Sequence, residues 1–509
     1  MRIVVPLFDS APDVIPEDAS AGIWTRANGV QFRAGMAERV APAVHFHATG
    51  EPAGPYLAIM SIGNAAGEYY WLVVTQAGIW ATNGATWSNV TPASGWAATA
   101  QSIITVHGFN GVAIINDSIG GPFYWDVNPA NKALRLPGWP TGWRVVAMRS
   151  HSAFLFGIGR LDMGGVQRVV WSDAAEAGTL PGTWQPAADN LAGWVDLLPA
   201  VSPCVDAISI GNELLVFKGE SVHAFTFVGG LAVFDAKLRF ASVGLGSVGG
   251  FCKGPKERFL FAGSHGDVMI SDGVSYDSIL SGKAQRTYYD ALVANGVKGL
   301  IQGATLARLG LSVMAFAERG GSAMTQALIF DWATGAVSFR GLPPSRSIAE
   351  GRALQDVTRN SWANLGGTWN AAGRPWNAAL SAATGDDVMV GGSGLWLISD
   401  QQGSGTAEPV YLLKESAPLG SEESNKLVRH VFPKIRGSGE VSLRIGTSDE
   451  AQGPIRWTAP QRFPIGQGAK VDVLAQGRFI SIEVQSIAGE DAAFSVGSIA
   501  VEAVETGRW

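Results

Sequence analysis

Short apolar runs broken by glycine fill the chain from about Tyr69 to Asp400. The pattern predicts β-strands, with no helical period sustained for long. Tyr69-Tyr70-Trp71-Leu72-Val73-Val74 is one such run, and Gly78-Ile79-Trp80-Ala81-Thr82 is the next. Asn83-Gly84 then reads as a two-residue hairpin turn, because both residues tolerate φ > 0, and Trp87 opens a further strand. The same phrase returns as an apolar strand at 258–262, a second at 266–271, the turn Asp272-Gly273, and Tyr276. Weaker echoes stand at 214–217 before Gly219, at 327–332 before Gly335, and at 388–390 before Gly394-Leu395-Trp396.

Gly84 and Gly273 are 189 residues apart, which is about four units of 47 and near the ~40–50 residues of a propeller blade. One blade cannot bury both of its faces, so such units close into a ring. Two large sandwiches with similar hairpins are the competing architecture. The prediction is an all-β chain with a β-propeller of about six blades over residues 52–400. A strand from the opening segment, residues 1–51, is expected to close the last blade, since a ring left open exposes two sheet edges. The texture changes over 346–385, which reads as a connection within the propeller. The polar stretch Gln401-Gln402-Gly403-Ser404-Gly405 reads as a linker. Beyond it the alternation is clean: Val441, Leu443 and Ile445 share one strand face, as do Ile480, Ile482 and Val484. Period-2 alternation with one wet face predicts a C-terminal antiparallel β-sandwich over 401–509.

A chain of 509 residues exceeds one ordinary core, which agrees with two domains. Hydrophobic residues make up 47% and charged residues 16%, a balance suited to burial and opposed to disorder. The net charge of −6 gives no bulk attraction to nucleic acid or to an anionic membrane. No stretch approaches the ~20 apolar residues of a membrane helix, so no membrane insertion is expected. Residues 1–9 are apolar for too short a run to read as a signal peptide. Cys204 and Cys252 lie in apolar, strand-like surroundings and read as buried free thiols of a protein made in a reducing compartment.

The search for chemistry finds little. His45 and His47 would face one side of a strand, but no carboxylate or thiolate cluster stands near them to complete a metal set. Zinc spacings, a Walker loop and a nucleophile elbow are missing. Thr82-Asn83-Gly84-Ala85-Thr86-Trp87 approaches the turn motif of sialidase propellers, Ser-x-Asp-x-Gly-x-Thr-Trp, with Thr82 in the Asp position. A glycosidase needs paired carboxylates on loops, and none converge in this sequence. No catalytic, cofactor or metal residue is therefore assigned and the chain is read as a non-enzyme. A carbohydrate-binding or glycosidase-like propeller is the alternative. A WD-repeat scaffold is a third class, but its Gly-His and Trp-Asp pairs are absent.

Two features suit an interface. Trp362, Trp369 and Trp376 stand seven apart, while Gly366, Gly367, Gly373 and Pro375 prevent a helix. The indoles either pin a long connection onto their own propeller or dock a neighbouring subunit. Lys426, Arg429, His430, Lys434 and Arg436 form the densest cationic run, read as a solvated strand face or a rim that pairs with a neighbour.

Residues 22–39 run Gly-Ile-Trp-Thr-Arg-Ala-Asn-Gly-Val-Gln-Phe-Arg-Ala-Gly-Met-Ala-Glu-Arg. This resembles the opening of tail hub and nozzle proteins of short-tailed bacteriophages, which read as a Trp, then Ala-Asn-x-Val-x-Phe-Arg, then a Gly and a Glu-Arg pair. The stretch from Gly244-Leu245-Gly246-Ser247-Val248 to Asp272-Gly273 is similar to packaged-DNA stabilisation proteins. The tryptophan repeat is a third likeness, although Ala363, Asn370 and Asn377 stand where those proteins often place Asp. The resemblance, to the tail tubular protein B type, implies a homo-hexameric ring below the portal and adaptor. Such a ring extends the DNA channel of the virion tail and retains the packaged genome until ejection. It implies assembly in the host cytoplasm. The implied partners are a head-to-tail adaptor, a tail fibre or spike, and needle or plug proteins. DNA would pass through the lumen without sequence-specific binding, and no cofactor is implied.

Overall fold

A strand covered on both faces needs apolar residues at every position, and the runs in 69–400 are of this kind. The computed structural model describes residues 2–508 except 34, 47–49, 65–66, 85, 163–165, 199–201, 231, 293–299, 353–385, 399–407 and 490–492. The described residues build a β-propeller and a β-sandwich. Five four-stranded antiparallel blades follow in chain order over 56–89, 104–135, 145–196, 204–240 and 251–278. A sixth starts at Ile301–Leu306 and ends in the first half of the 16-residue strand Val337–Arg352. The second half of that strand pairs with Asp386–Gly392 and begins a seventh. Leu395–Ile398 continues this blade, and Val44–His45 from the opening segment completes it. The closing strand expected from the sequence is thus in place, and the ring has seven blades where the repeat spacing suggested about six.

Each blade shares an apolar layer with the next. In Tyr69–Thr75 of blade 1, Leu72 and Val74 pack with Ala113 and Ile115 of blade 2. Trp71 and Val73 face the other way, with Met389 and Leu397 of blade 7. The side chains alternate in direction, but both directions are dry, so no polar alternation shows in the sequence. The two clean sequence phrases fall on the same hairpin of blades 1 and 5, four blades apart. Both turns are longer than two residues. Thr82 pairs with Trp87, and Ser271 with Tyr276, which leaves four residues in each loop. Asp272 Oδ1 accepts from the backbone N–H groups of Val274 and Ser275 at 2.9 and 2.8 Å, an Asx turn that replaces the expected tight turn.

The C-terminal sandwich also follows the sequence. Leu443 pairs with Val484 and Ile445 with Ile482, and all four are fully buried. The facing sheet runs, in order, through Val471–Gly477, Ser424–Gly437, Phe494–Arg508, Met36–Arg39 and Val30–Arg33. Arg2–Pro6 also pairs along Phe494–Arg508. Residues 1–51, read from sequence as an opening segment, thus divide between the two bodies. Arg2–Pro6, Val30–Arg33 and Met36–Arg39 join the sandwich, Arg26–Asn28 bridges both bodies, Asp9–Ser10 pairs with Ile23–Trp24, and Val44–His45 joins the propeller.

Candidate functional site: seam, cavity and basic strand

The segment that carries the family resemblance lies at the seam between propeller and sandwich. Ala27, Val30, Phe32 and Ala37 point into the sandwich core. Asn28 pairs with Phe339 of the propeller strand and also with Tyr411 of the sandwich, so one hydrogen-bonded sheet crosses from blade 6 into the second body. Gly29 is required at the crossing. Its φ is 69°, and a Cβ there would stand 2.4 Å from the Pro409 carbonyl oxygen.

Polar groups bolt the seam. Arg39 donates through Nε and Nη2 to the Glu408 carbonyl at 3.3 and 3.2 Å. The Glu408 carboxylate accepts from the Gly341 backbone N–H and lies 3.9 Å from the buried Arg340 guanidinium. Burial lowers the Arg340 pKa to about 10, and burial raises that of Glu408 against the pull of Arg340. Lys414 is buried and donates to the carbonyls of Ala19, Ser20 and Ile23 at 3.1, 2.9 and 2.7 Å. The same burial brings its pKa down to about 8. Asp9 joins Lys283 at 2.5 Å and accepts from the Val337 N–H at 2.8 Å, which ties the first strands to blades 5 and 6.

A cavity of about 310 Å³ lies where the inner strands of six blades converge. Most of its polar side chains are spent on joining blades. Arg149 forms a bidentate pair with the buried Asp206, at 2.8 and 2.6 Å, and Asp206 also accepts from the Gly249 N–H at 2.9 Å. Gln302 accepts from Ile348, and Glu350 from Thr305, at 3.1 and 3.0 Å. Both nitrogens of His107 are shut off from solvent and have no hydrogen-bond partner among the described residues. Burial first, and the Arg149 charge second, lower its pKa to about 3. Among the described residues lining this cavity and the neighbouring one at Trp332, Glu350 is the one carboxylate.

The interface candidates divide. Trp362, Trp369 and Trp376 lie outside the described residues. Lys426 is not the rim cation expected from the sequence but a buried one, 1% exposed. Its ammonium donates to the carbonyls of Ser421, Ser424 and Arg478 at 2.6, 3.0 and 2.8 Å, which replaces its hydration. Burial lowers its pKa. Arg429, Lys434 and Arg436 are exposed on the same strand, and His430 pairs with Asp472 at 2.7 Å. Sequence reasoning missed their neighbours. Arg2 lies over the Phe432 ring at 3.8 Å, and Val4 and Phe432 both pair with Ala500. The period-2 pattern of residues 2–6 held the signal, since Val5 is buried while Arg2 and Val4 are exposed.

His45 is taken up in the ring closure, stacked edge-on to Trp396 at 4.8 Å and 3.0 Å from Glu51. His47 lies outside the described residues. No three His, Cys, Asp or Glu side chains gather as a metal site among the described residues. Cys204 and Cys252 are both buried free thiols.

No family model matches the chain, and neither does any curated protein. Solved structures with a similar strand arrangement include the WD40 β-propeller domain of Doa1, at 11% identity and TM-score 0.39, covering 72% of this chain and 98% of that one. The WD40 domain of Neurospora crassa Pan2 matches at 9% identity and TM-score 0.40, over 71% and 97%. An exo-β-1,3-galactanase from Phanerochaete chrysosporium matches at 10% identity and TM-score 0.27, over 91% and 100%. The strand pairings described above carry the fold.

Proposed function

We propose that the chain is a structural virion protein, a tail nozzle or hub subunit of the short-tailed phage type. Six copies would form a ring below the portal and adaptor. The ring would extend the DNA channel and hold the packaged genome until ejection. The observation that carries this reading is the seam. A subunit that confines pressurised DNA must pass load from one contact face to another without a hinge. Here a continuous hydrogen-bonded sheet links blade 6 to the sandwich through Asn28, and Arg39, Arg340 and Glu408 brace it. The residues that build this crossing are those that resemble tail hub proteins.

The carbohydrate-acting alternative has less behind it. A glycosidase needs two carboxylates flanking the scissile bond, while the described cavity lining offers Glu350 alone and binds it to Thr305. Sedimentation and negative-stain imaging of the purified full chain test the proposal. The expected result is a ring of six 53.4 kDa chains, about 320 kDa, with an open lumen. A single-copy protein that hydrolyses or retains oligosaccharides on a glycan array would overturn it.

A further inference from the structure

We infer that the outer face of the sandwich sheet docks onto the outer edge of blades 3 to 5 of a second copy of this chain. The inference rests on the ring reading and names the two surfaces that would close it. A head-to-tail contact requires two different complementary patches on one subunit. Among the described surfaces, these two match in both apolar content and charge.

The first patch is the solvent side of the sheet built from Arg2–Pro6, Phe494–Arg508, Ser424–Gly437 and Val471–Gly477. A sheet face turned to water normally presents polar residues. This one presents Val4, Leu427, Phe432, Leu474 and Val504, with Leu474 78% exposed. Around them stand Arg2, Arg429, Lys434 and Arg436, which are exposed and have no carboxylate partner among the described ion pairs. Asp472 on the same face is held by His430 and Lys470, and Glu502 stands across from Arg2, so the cations outnumber the carboxylates here.

The second patch is the row of outermost strands Gly193–Asp196, Phe234–Phe240 and Tyr276–Ser278. Uncovered edge strands are ordinarily blunted by charge or by a covering element. Here they expose Trp194, Leu238 and Tyr276, with Val274 70% exposed at the adjoining hairpin. The basic residues of this edge are consumed internally: Arg168 pairs with Asp196, Lys237 with Asp235 and Arg239 with Glu213. Asp189, Asp272 and Asp277 remain exposed with no cation beside them among the described ion pairs. One patch is therefore apolar with a positive surround, and the other apolar with a negative one. Such pairing orients association and excludes like-to-like contacts.

Charge reversal tests the assignment by sedimentation velocity on the full chain. Lys434→Glu with Arg436→Glu alters the sandwich patch, and Asp189→Lys with Asp277→Lys alters the blade patch. All four side chains are exposed, so melting temperatures should stay at the wild-type value. Each double variant should weaken self-association by more than about tenfold. Mixing the two should restore rings of alternating variants, because unaltered patches pair with each other and so do the reversed ones. Combining all four substitutions in one chain should restore rings. If rings form from each double variant alone, this interface is wrong while the ring reading stands. A wild-type chain that remains single at every concentration overturns both.

Discussion

Acid should weaken the propeller through His107. The imidazole sits on the inner strand Ile104–Phe109, with both nitrogens closed to solvent and unpartnered among the described residues. Burial and the nearby Arg149 guanidinium hold its pKa at about 3, against 6.5 in the unfolded chain. The depressed value fixes the sign. The folded state refuses a proton that the unfolded state accepts, so the associated stability is present above pH 6.5 and lost as pH falls toward 3. Between pH 7 and pH 5 the loss is about 2 kcal/mol, and each further unit down adds about 1.4 kcal/mol until pH nears 3. His107→Leu removes this titration while His223, lowered to about 4 by burial and then by Lys218, continues to titrate in both proteins. Urea unfolding followed by tryptophan fluorescence at pH 7 and pH 5 should show the variant losing about 2 kcal/mol less than wild type. An identical acid loss in the two proteins would refute the burial argument.

The seam yields three further expectations. Gly29→Ala forces a Cβ against the Pro409 carbonyl at positive φ, and should lower stability by about 2–4 kcal/mol in denaturant titrations. Glu408→Ala leaves Arg340 buried without its carboxylate, a loss of about 3 kcal/mol. Calorimetry should then resolve separate propeller and sandwich transitions where wild type shows one. Lys414, depressed to about 8, gives up its proton earlier folded than unfolded, so wild-type stability gains a rising contribution from pH 8 toward 10.5. Lys414→Met should lack that rise in melting temperatures recorded across the window.

The architecture was legible where local sequence encodes it. Tyr69–Val74 reads as a doubly buried strand because both of its faces meet other blades. The phrase around Gly84 and Gly273 is the same hairpin four blades apart. Blade 7 shows in the sequence only as the weak echo at 388–396, because its other strands come from 345–352 and from 44–45, far apart in the chain. Lys426 was misread because a cation within a strand ordinarily faces water, whereas three carbonyls brought in by the fold surround it. The period-2 pattern of residues 2–6 gives the exposed face of Arg2 and Val4, but the partner Phe432 is reached only through a strand pairing some 500 residues apart in sequence. The inter-blade bonds at Asp206, Gln302 and Glu350 likewise depend on ring closure and carry no sequence motif.

The central claim is that this chain is a tail-ring subunit. Quantitative mass spectrometry of DNA-filled virions, combined with antibody labelling of the intact particles, tests it most directly. The account predicts about six copies per packaged genome, all at the single tail vertex. Absence from the particles, or a copy number like that of a capsid protein with label on every face, would contradict it.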